Sequence, residues 1–151
     1  MRLALYQPDI AQNTGTMLRT CACLGVDAHV IGPTGFDMSD RALRRAGLDY
    51  LEHVRLTRHA SWAEFEAERQ HLGGRLLLLT SHGDMSYTRH RFANDDIIMV
   101  GRESAGVPDA VARAADARLT IPMAGGMRSL NVAVAAGMVL GEALRQRGCA
   151  E

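Results

Sequence analysis

A chain of 151 residues that is 47% hydrophobic and 23% charged can bury its own core as one globular domain, and no second domain is expected. No stretch approaches the roughly 20 apolar residues of a membrane span, and the apolar part of the opening MRLALYQPD is too short for a signal peptide, so a soluble cytoplasmic protein is expected. Seventeen basic residues balance 17 acidic ones, which argues against a strongly basic nucleic-acid-binding domain while leaving room for local patches.

Residues 3–6 read as a short apolar strand, 8–13 as a loop, and 15–24 as a helix capped by Asn13 or Thr14 and ended by Gly25. A strand over 28–31 follows, then the turn Gly32-Pro33-Thr34-Gly35, a helix over 39–46 closed by Gly47, and a strand near 50–55. Ser61 and Glu64 form a capping box that opens a helix running to about residue 70, and 75–80 is a strongly apolar strand. Residues 81–95 carry no clear period. Residues 97–100 are a second buried strand, and 108–115 a helix with Pro108 in its first turn.

The segment LTIPMAGGMRSLNVAVAAGMVLGEALR is the most informative. A buried strand over 119–121 stops at Pro122, Gly125-Gly126 open a loop, and Arg128, Ser129 and Asn131 cluster where a small-residue helix begins. A helix start there can hold a polar or anionic group, although a simple cap and surface loop leave the same pattern. Strands alternating with helices predict an α/β fold, a mostly parallel sheet with helices on both faces and ligands at the carboxyl ends of its strands.

The residue inventory narrows the chemistry. Cys21, Cys23 and Cys149 show neither CxxC spacing nor a framework of pairs, which fits a reducing compartment. Within a helix, Cys21 and Cys23 point to different sides and do not share a metal. Every basic side chain is arginine, so Schiff-base lysine chemistry and the lysine-dependent P-loop are excluded, while arginine forks suit phosphate. Arg41, Arg44 and Arg45 fall on one helix face, as a solvated surface or as an RNA contact. His29, His53, His59, His71, His82 and His90 show no metal-ligand spacing, and no metal is expected.

Three polar loops follow predicted strands. PDIAQNTGTMLRT holds Asn13 and, nearly two turns on, Arg19; in MVGRESAGVP, Gly101 and Gly106 bracket Arg102, Glu103 and Ser104; MRSLN is the third. None is G-x-G-x-x-G, and Ser104 is not framed as a G-x-S-x-G nucleophile. The set NTGTMLR (13–19), IIMVGRESAGVP (97–108) and LTIPMAGGMRSLNVAVAAG (119–137) resembles, in order and spacing, the three motifs of the SPOUT class of RNA 2′-O-ribose methyltransferases. FDMSDRALRRAGLDYLEHV (36–54) resembles the compact subfamily that methylates the tRNA wobble ribose, cytidine or modified uridine, with leucine tRNAs as expected substrates.

The resemblance implies a deep C-terminal trefoil knot that binds S-adenosylmethionine, contacted at Leu79, Gly101, Ile121, Ser129 and Leu130 largely through backbone groups. It implies that Arg19 is catalytic, binding the adjacent phosphate as an electrostatic and positioning group because an arginine stays protonated and has no acceptor for a further proton. Asn13, Glu103, Ser129 and Asn131 would shape the site, with Glu103 orienting Arg19. It also implies a homodimer in which the C-terminal helix packs against the partner's first motif helix, and a tRNA anticodon stem-loop bound across both chains. The chain departs from the pattern at Val132, Ala133 and Val134, where relatives often place a serine or asparagine, and at Ala105, where many carry arginine. A ribosomal RNA or another tRNA ribose as target, and a catalytically silent RNA-binding protein, are the alternative readings.

Overall fold

In the computed structural model, which describes residues 1–45 and 50–148, strands and helices alternate along the chain. The strands are β1 (Arg2–Tyr6), β2 (Asp27–Ile31), β3 (Leu56–His59), β4 (Leu76–Leu79), β5 (Met85–Ser86), β6 (Ile97–Val100) and β7 (Ala117–Thr120). The helices are α1 (Ala11–Leu24), α2 (Asp40–Arg45), α3 (Trp62–Leu72), α4 (Asp109–Ala114) and α5 (Val132–Gln146). All strand pairs are parallel, in a single sheet ordered β3-β2-β1-β6-β4-β7-β5.

The apolar runs explain this arrangement. A parallel strand buried on both faces has no polar side to show, which is why β4 reads LLLL and β6 reads IIMV. Alternation then divides each strand between two cores: Leu3, Leu5, Leu77, Ile98 and Val100 face α1 and α5, whereas Ala4, Tyr6, Leu76, Leu78, Ile97 and Met99 face α3 and α4. Ala133, Ala136 and Ala143 are buried in the first core beside Met17, Leu18 and Cys21, so small residues on α5 let it lie close to α1. The order reverses between β1 and β6, and a crevice outside the carboxyl ends of the strands follows from that reversal.

Several boundaries differ from the sequence reading. Helix α1 begins at Ala11 with Ile10 as its N-cap and no side-chain cap, so neither Asn13 nor Thr14 caps it. Asn13 lies inside the first turn and spends its amide elsewhere. The strand expected near 50–55 is a 3-10 turn, Leu51–His53, and pairing starts only at Leu56. Residues 81–95 contain β5 and a 3-10 turn, Tyr87–Arg89. Ala46 and Gly47, the expected end of the second helix, lie outside the described residues, as does Cys149. Half of the expected capping box is formed: Glu64 N–H donates to the N-cap Ser61 Oγ at 3.2 Å, while the Glu64 carboxylate reaches past Ser61 and accepts from Ala60 N–H. Gly25 closes α1 at φ 64°. Cys21 is buried and Cys23 exposed, as opposite helix sides require, and burial pushes the Cys21 thiol up to about 12.

Folding also joins residues whose spacing gave no hint of it. His29 and His59 are both buried, with Nδ1 of the first 2.8 Å from Nε2 of the second and ring planes within 12° of parallel. Glu68 lies 3.5 Å from the other His59 nitrogen, and one potential ligand atom from each of His29, His59 and Glu68 lies within 4.8 Å of the others, a grouping that the spacing of the histidines did not announce. Burial, and then the positive potential of His59, lower the His29 pKa; Arg2 adds to this, while Glu68 and Asp27 oppose it. A buried imidazole that stays neutral while its unfolded counterpart takes up a proton gives stability that is complete above the unfolded pKa near 6.5 and declines as pH falls below it. Thermal melts from pH 7.5 to 5 should therefore show a falling midpoint. His29→Gln should flatten that slope by up to about 1.4 kcal/mol per pH unit, the limit for one proton.

Candidate functional site

Chain geometry at the carboxyl end of β1 sets the site. Gln7 takes a left-handed conformation at φ 41°, rare for a residue with a Cβ, and turns the chain through Pro8 to Asp9. The Asp9 carboxylate then reaches across to the loop after β6. It accepts from Arg102 at 3.1 and 2.5 Å, and from the Ser104 amide and hydroxyl at 3.1 and 2.5 Å. These donors, Arg102 first and Ser104 second, hold the Asp9 pKa down at about 2. The loop itself is pinched shut, since Arg102 and Gly106 exchange both backbone hydrogen bonds at 2.9 Å.

A second polar string joins all three motif loops. Asn131 Nδ2 donates to Asn13 Oδ1 at 3.0 Å, and Asn13 Nδ2 donates to Glu103 Oε1 at 3.3 Å. The other Glu103 oxygen accepts from Asp9 N–H at 2.8 Å. Asn131 is also the N-cap of α5, its Oδ1 accepting from Ala133 N–H at 2.9 Å and Val134 N–H at 3.3 Å. One asparagine thus fixes the start of α5 and ties it to α1. Both of its functions need an amide, which offers an acceptor and donors on the same side chain.

These loops enclose an open cleft of about 1200 Å³. Leu79, Gly101, Ile121, Ser129 and Leu130 all line it, as do Asn13, Glu103 and Asn131. A Cβ on Gly101 would lie 2.7 Å from the Gly106 carbonyl carbon, so the bare backbone at the cleft wall is a steric requirement. Ala105 also faces the cleft, where a longer side chain would add a polar group. At the other departures from the pattern, Ala133 is buried while Val134 is exposed.

Arg19 is not among the lining residues. It lies six residues beyond Asn13, about 9 Å further along α1, on an exposed face. Its guanidinium sits over Tyr50, and Nη2 donates to the tyrosine hydroxyl at 3.3 Å. The expected Glu103–Arg19 contact is not formed: both Glu103 oxygens are taken by Asp9 N–H and Asn13. Of the clustered arginines, Arg44 pairs with Glu52 at 3.1 Å, and Arg41, Arg44 and Arg45 are all exposed.

Sequence reasoning missed four features here. Asp9 fell in the stretch 8–13 read only as a loop, and Tyr50 in a stretch read as strand. His82 lines the cleft from the segment without a period. Gly83 lies so close to β7 that a Cβ would meet the Leu119 backbone at 2.5 Å. Among the described residues no helix is long and apolar enough to cross a membrane.

Comparison with known proteins agrees with this architecture. The family model described as the SpoU rRNA Methylase family matches residues 1–141. A tRNA (cytidine(34)-2′-O)-methyltransferase of Beijerinckia indica is 62% identical over 146 residues, covering 97% of this chain and 91% of its own; one from Escherichia coli is 39% identical, covering 98% and 94%. A structure concerned with 2-OH methylation of C/U34 on tRNA superposes with a TM-score of 0.91 at 43% identity, covering 98% of this chain and 96% of the other. The methyltransferase AviRb from Streptomyces viridochromogenes, in complex with the cofactor AdoMet, superposes at 0.87 and 29% identity, covering 100% of this chain and 59% of its own. With nearly its whole length matched, and the motif loops meeting at one cleft, the chain belongs to the SpoU methylase family.

Proposed function

We propose that the protein is a single-domain enzyme that transfers a methyl group from S-adenosylmethionine to the ribose 2′-OH of the wobble nucleotide of tRNA, cytidine or a modified uridine. The observation that carries this reading is the coincidence in one cleft of the five expected cofactor positions with the Asn131–Asn13–Glu103 string. Backbone groups at Leu79, Gly101, Ile121, Ser129 and Leu130 would hold the cofactor, and the close approach permitted at Gly101 fits that task. The cofactor supplies an electrophilic methyl carbon. Asn13, Glu103 and Asn131 fix the loops around it and so set alignment of the ribose hydroxyl. Arg19 binds the phosphate next to that hydroxyl, and that phosphate is one group that could take up the departing proton. The cytoplasm, where tRNA is handled, is the proposed place of action.

A C-terminal trefoil knot is part of this reading. In its support, β7 lies between β4 and β5, both earlier in the chain, and the intervening segment wraps it through Thr80 N–H to Leu119 O at 2.9 Å and Asp84 N–H to Arg118 O at 3.0 Å.

The functional unit is proposed to be a twofold dimer. In its support, Ile10, Met127 and Leu130 at the cleft and Val134 and Met138 one turn apart on α5 are large apolar side chains left exposed, which a partner surface would cover. Packing that face on a second copy would bring Arg19 of one chain toward the cleft of the other and join the arginines of both into one surface for the anticodon stem-loop. Sedimentation should give a dimer. Val134→Glu combined with Met138→Glu should weaken association by about 100-fold or more, since two carboxylates from each chain would be buried. An unchanged dimer would place the interface elsewhere.

The activity is tested by incubating the protein with methyl-labelled S-adenosylmethionine and unmodified tRNA transcripts, leucine tRNAs among them, and mapping the label by nuclease digestion. Label on the ribose of nucleotide 34 is expected. Label at another ribose would change the target, and cofactor binding without transfer to any tRNA would identify a silent binder.

A further inference from the structure

Arg19 is held by an aromatic platform. Its guanidinium carbon lies 4.5 Å from the centre of the Tyr50 ring, while Nη2 donates to Tyr50 Oη at 3.3 Å. Among the described residues no carboxylate pairs with Arg19, unlike Arg44, Arg58 and Arg102. The platform is itself anchored. The Tyr50 carbonyl accepts from His53 N–H at 3.0 Å, Leu51 packs against the core beneath α1, and Val54 is buried.

We infer that Tyr50 is the positioning residue for Arg19, holding its guanidinium by stacking and by the hydroxyl so that the remaining edge faces outward to take a phosphate. The inference rests on the role proposed for Arg19. A carboxylate partner would neutralise the guanidinium and compete with phosphate for its donors. An aromatic face restrains the same group and leaves its charge intact. Arg19 stands on an exposed helix face, with a long flexible stem and no cleft wall to confine it. The anchored ring therefore takes the place that a pocket wall has for a buried catalytic group. The residue acts through Arg19 and does not touch the reacting atoms.

The test compares Tyr50→Leu and Tyr50→Phe in single-turnover methylation of tRNA, with cofactor binding measured by calorimetry on each variant. Tyr50→Leu is expected to lower the rate about tenfold, with cofactor affinity within about twofold of the parent, because only the orientation of Arg19 is lost. Tyr50→Phe, which keeps the ring, is expected to restore most of the rate, to within about threefold of the parent. A purely structural role would move cofactor binding as well, and equal losses in the two variants would overturn the stacking argument. Should the leucine variant fail to fold, the side-chain proton resonances of Arg19 in the unaltered protein decide the matter: ring-current displacement supports stacking, and ordinary values overturn it. If Arg19→Ala methylates at the parent rate, the reading of Arg19 itself fails. If Arg19→Ala is inactive while Tyr50→Leu is fully active, only the positioning role fails.

Discussion

Replacing Arg19 with alanine is expected to slow methyl transfer by about 100-fold or more, the usual cost of removing one charged group that acts at the transition state. Cofactor affinity and thermal midpoint should stay close to those of the parent. The separation follows from where Arg19 stands: it lines no part of its own cleft, is exposed on α1, and contacts Tyr50 rather than any residue of the Asn131–Asn13–Glu103 string. Its loss leaves every hydrogen bond around the cleft in place. A group that binds phosphate at the reacting nucleotide should also show in the salt dependence of tRNA binding, with the slope reduced by about one counterion per site. Single-turnover rates, calorimetry and a salt titration on one preparation measure all three. A variant that loses cofactor binding in parallel with rate would move Arg19 from the RNA side of the reaction to the structure of the pocket.

The sheet was the most legible part of the sequence. Runs such as LLLL and IIMV have few other uses than parallel strands buried on both faces, and the glycine after α1 and the Ser61–Glu64 box marked helix ends through local chemistry. The site was legible only as a set of loops. Each motif asparagine looked like a helix cap when taken alone, and Asn131 is one; Asn13 is not, because its amide is drawn to Glu103 and Asn131, partners 90 and 118 residues away. The 50–55 segment misled for a related reason. Its apolar residues pack under α1 from a 3-10 turn, so they show the burial of a strand without its pairing. The His29–His59 contact and the Asp9 clamp were illegible, since both are formed by groups that meet only when the sheet does.

The cleft wall offers the sharpest test of that long-range geometry. Gly101→Ala is expected to weaken cofactor binding at least about tenfold, equivalent to about 1.4 kcal/mol, and to lower stability by about 1–3 kcal/mol as an overpacked site does. The added methyl would lie 2.7 Å from the Gly106 carbonyl carbon and 2.8 Å from its Cα. Both are backbone atoms held in place by the two 2.9 Å hydrogen bonds between Arg102 and Gly106, so neither can rotate away as a side chain would. Relief requires the loop to open. Opening carries Glu103 away from Asn13 and Asp9 N–H, and Arg102 and Ser104 away from the Asp9 carboxylate, so one methyl loosens the contacts of two motif loops. Gly125→Ala is the matched control: a Cβ there meets nothing within 4 Å, and its binding and melting should follow the parent. Calorimetry with S-adenosylmethionine and thermal melts on both variants check the contrast. Equal affinity in the two would mean that the pinched loop shapes the wall of the cleft without forming the cofactor cradle, and the polar string would then serve the RNA side alone.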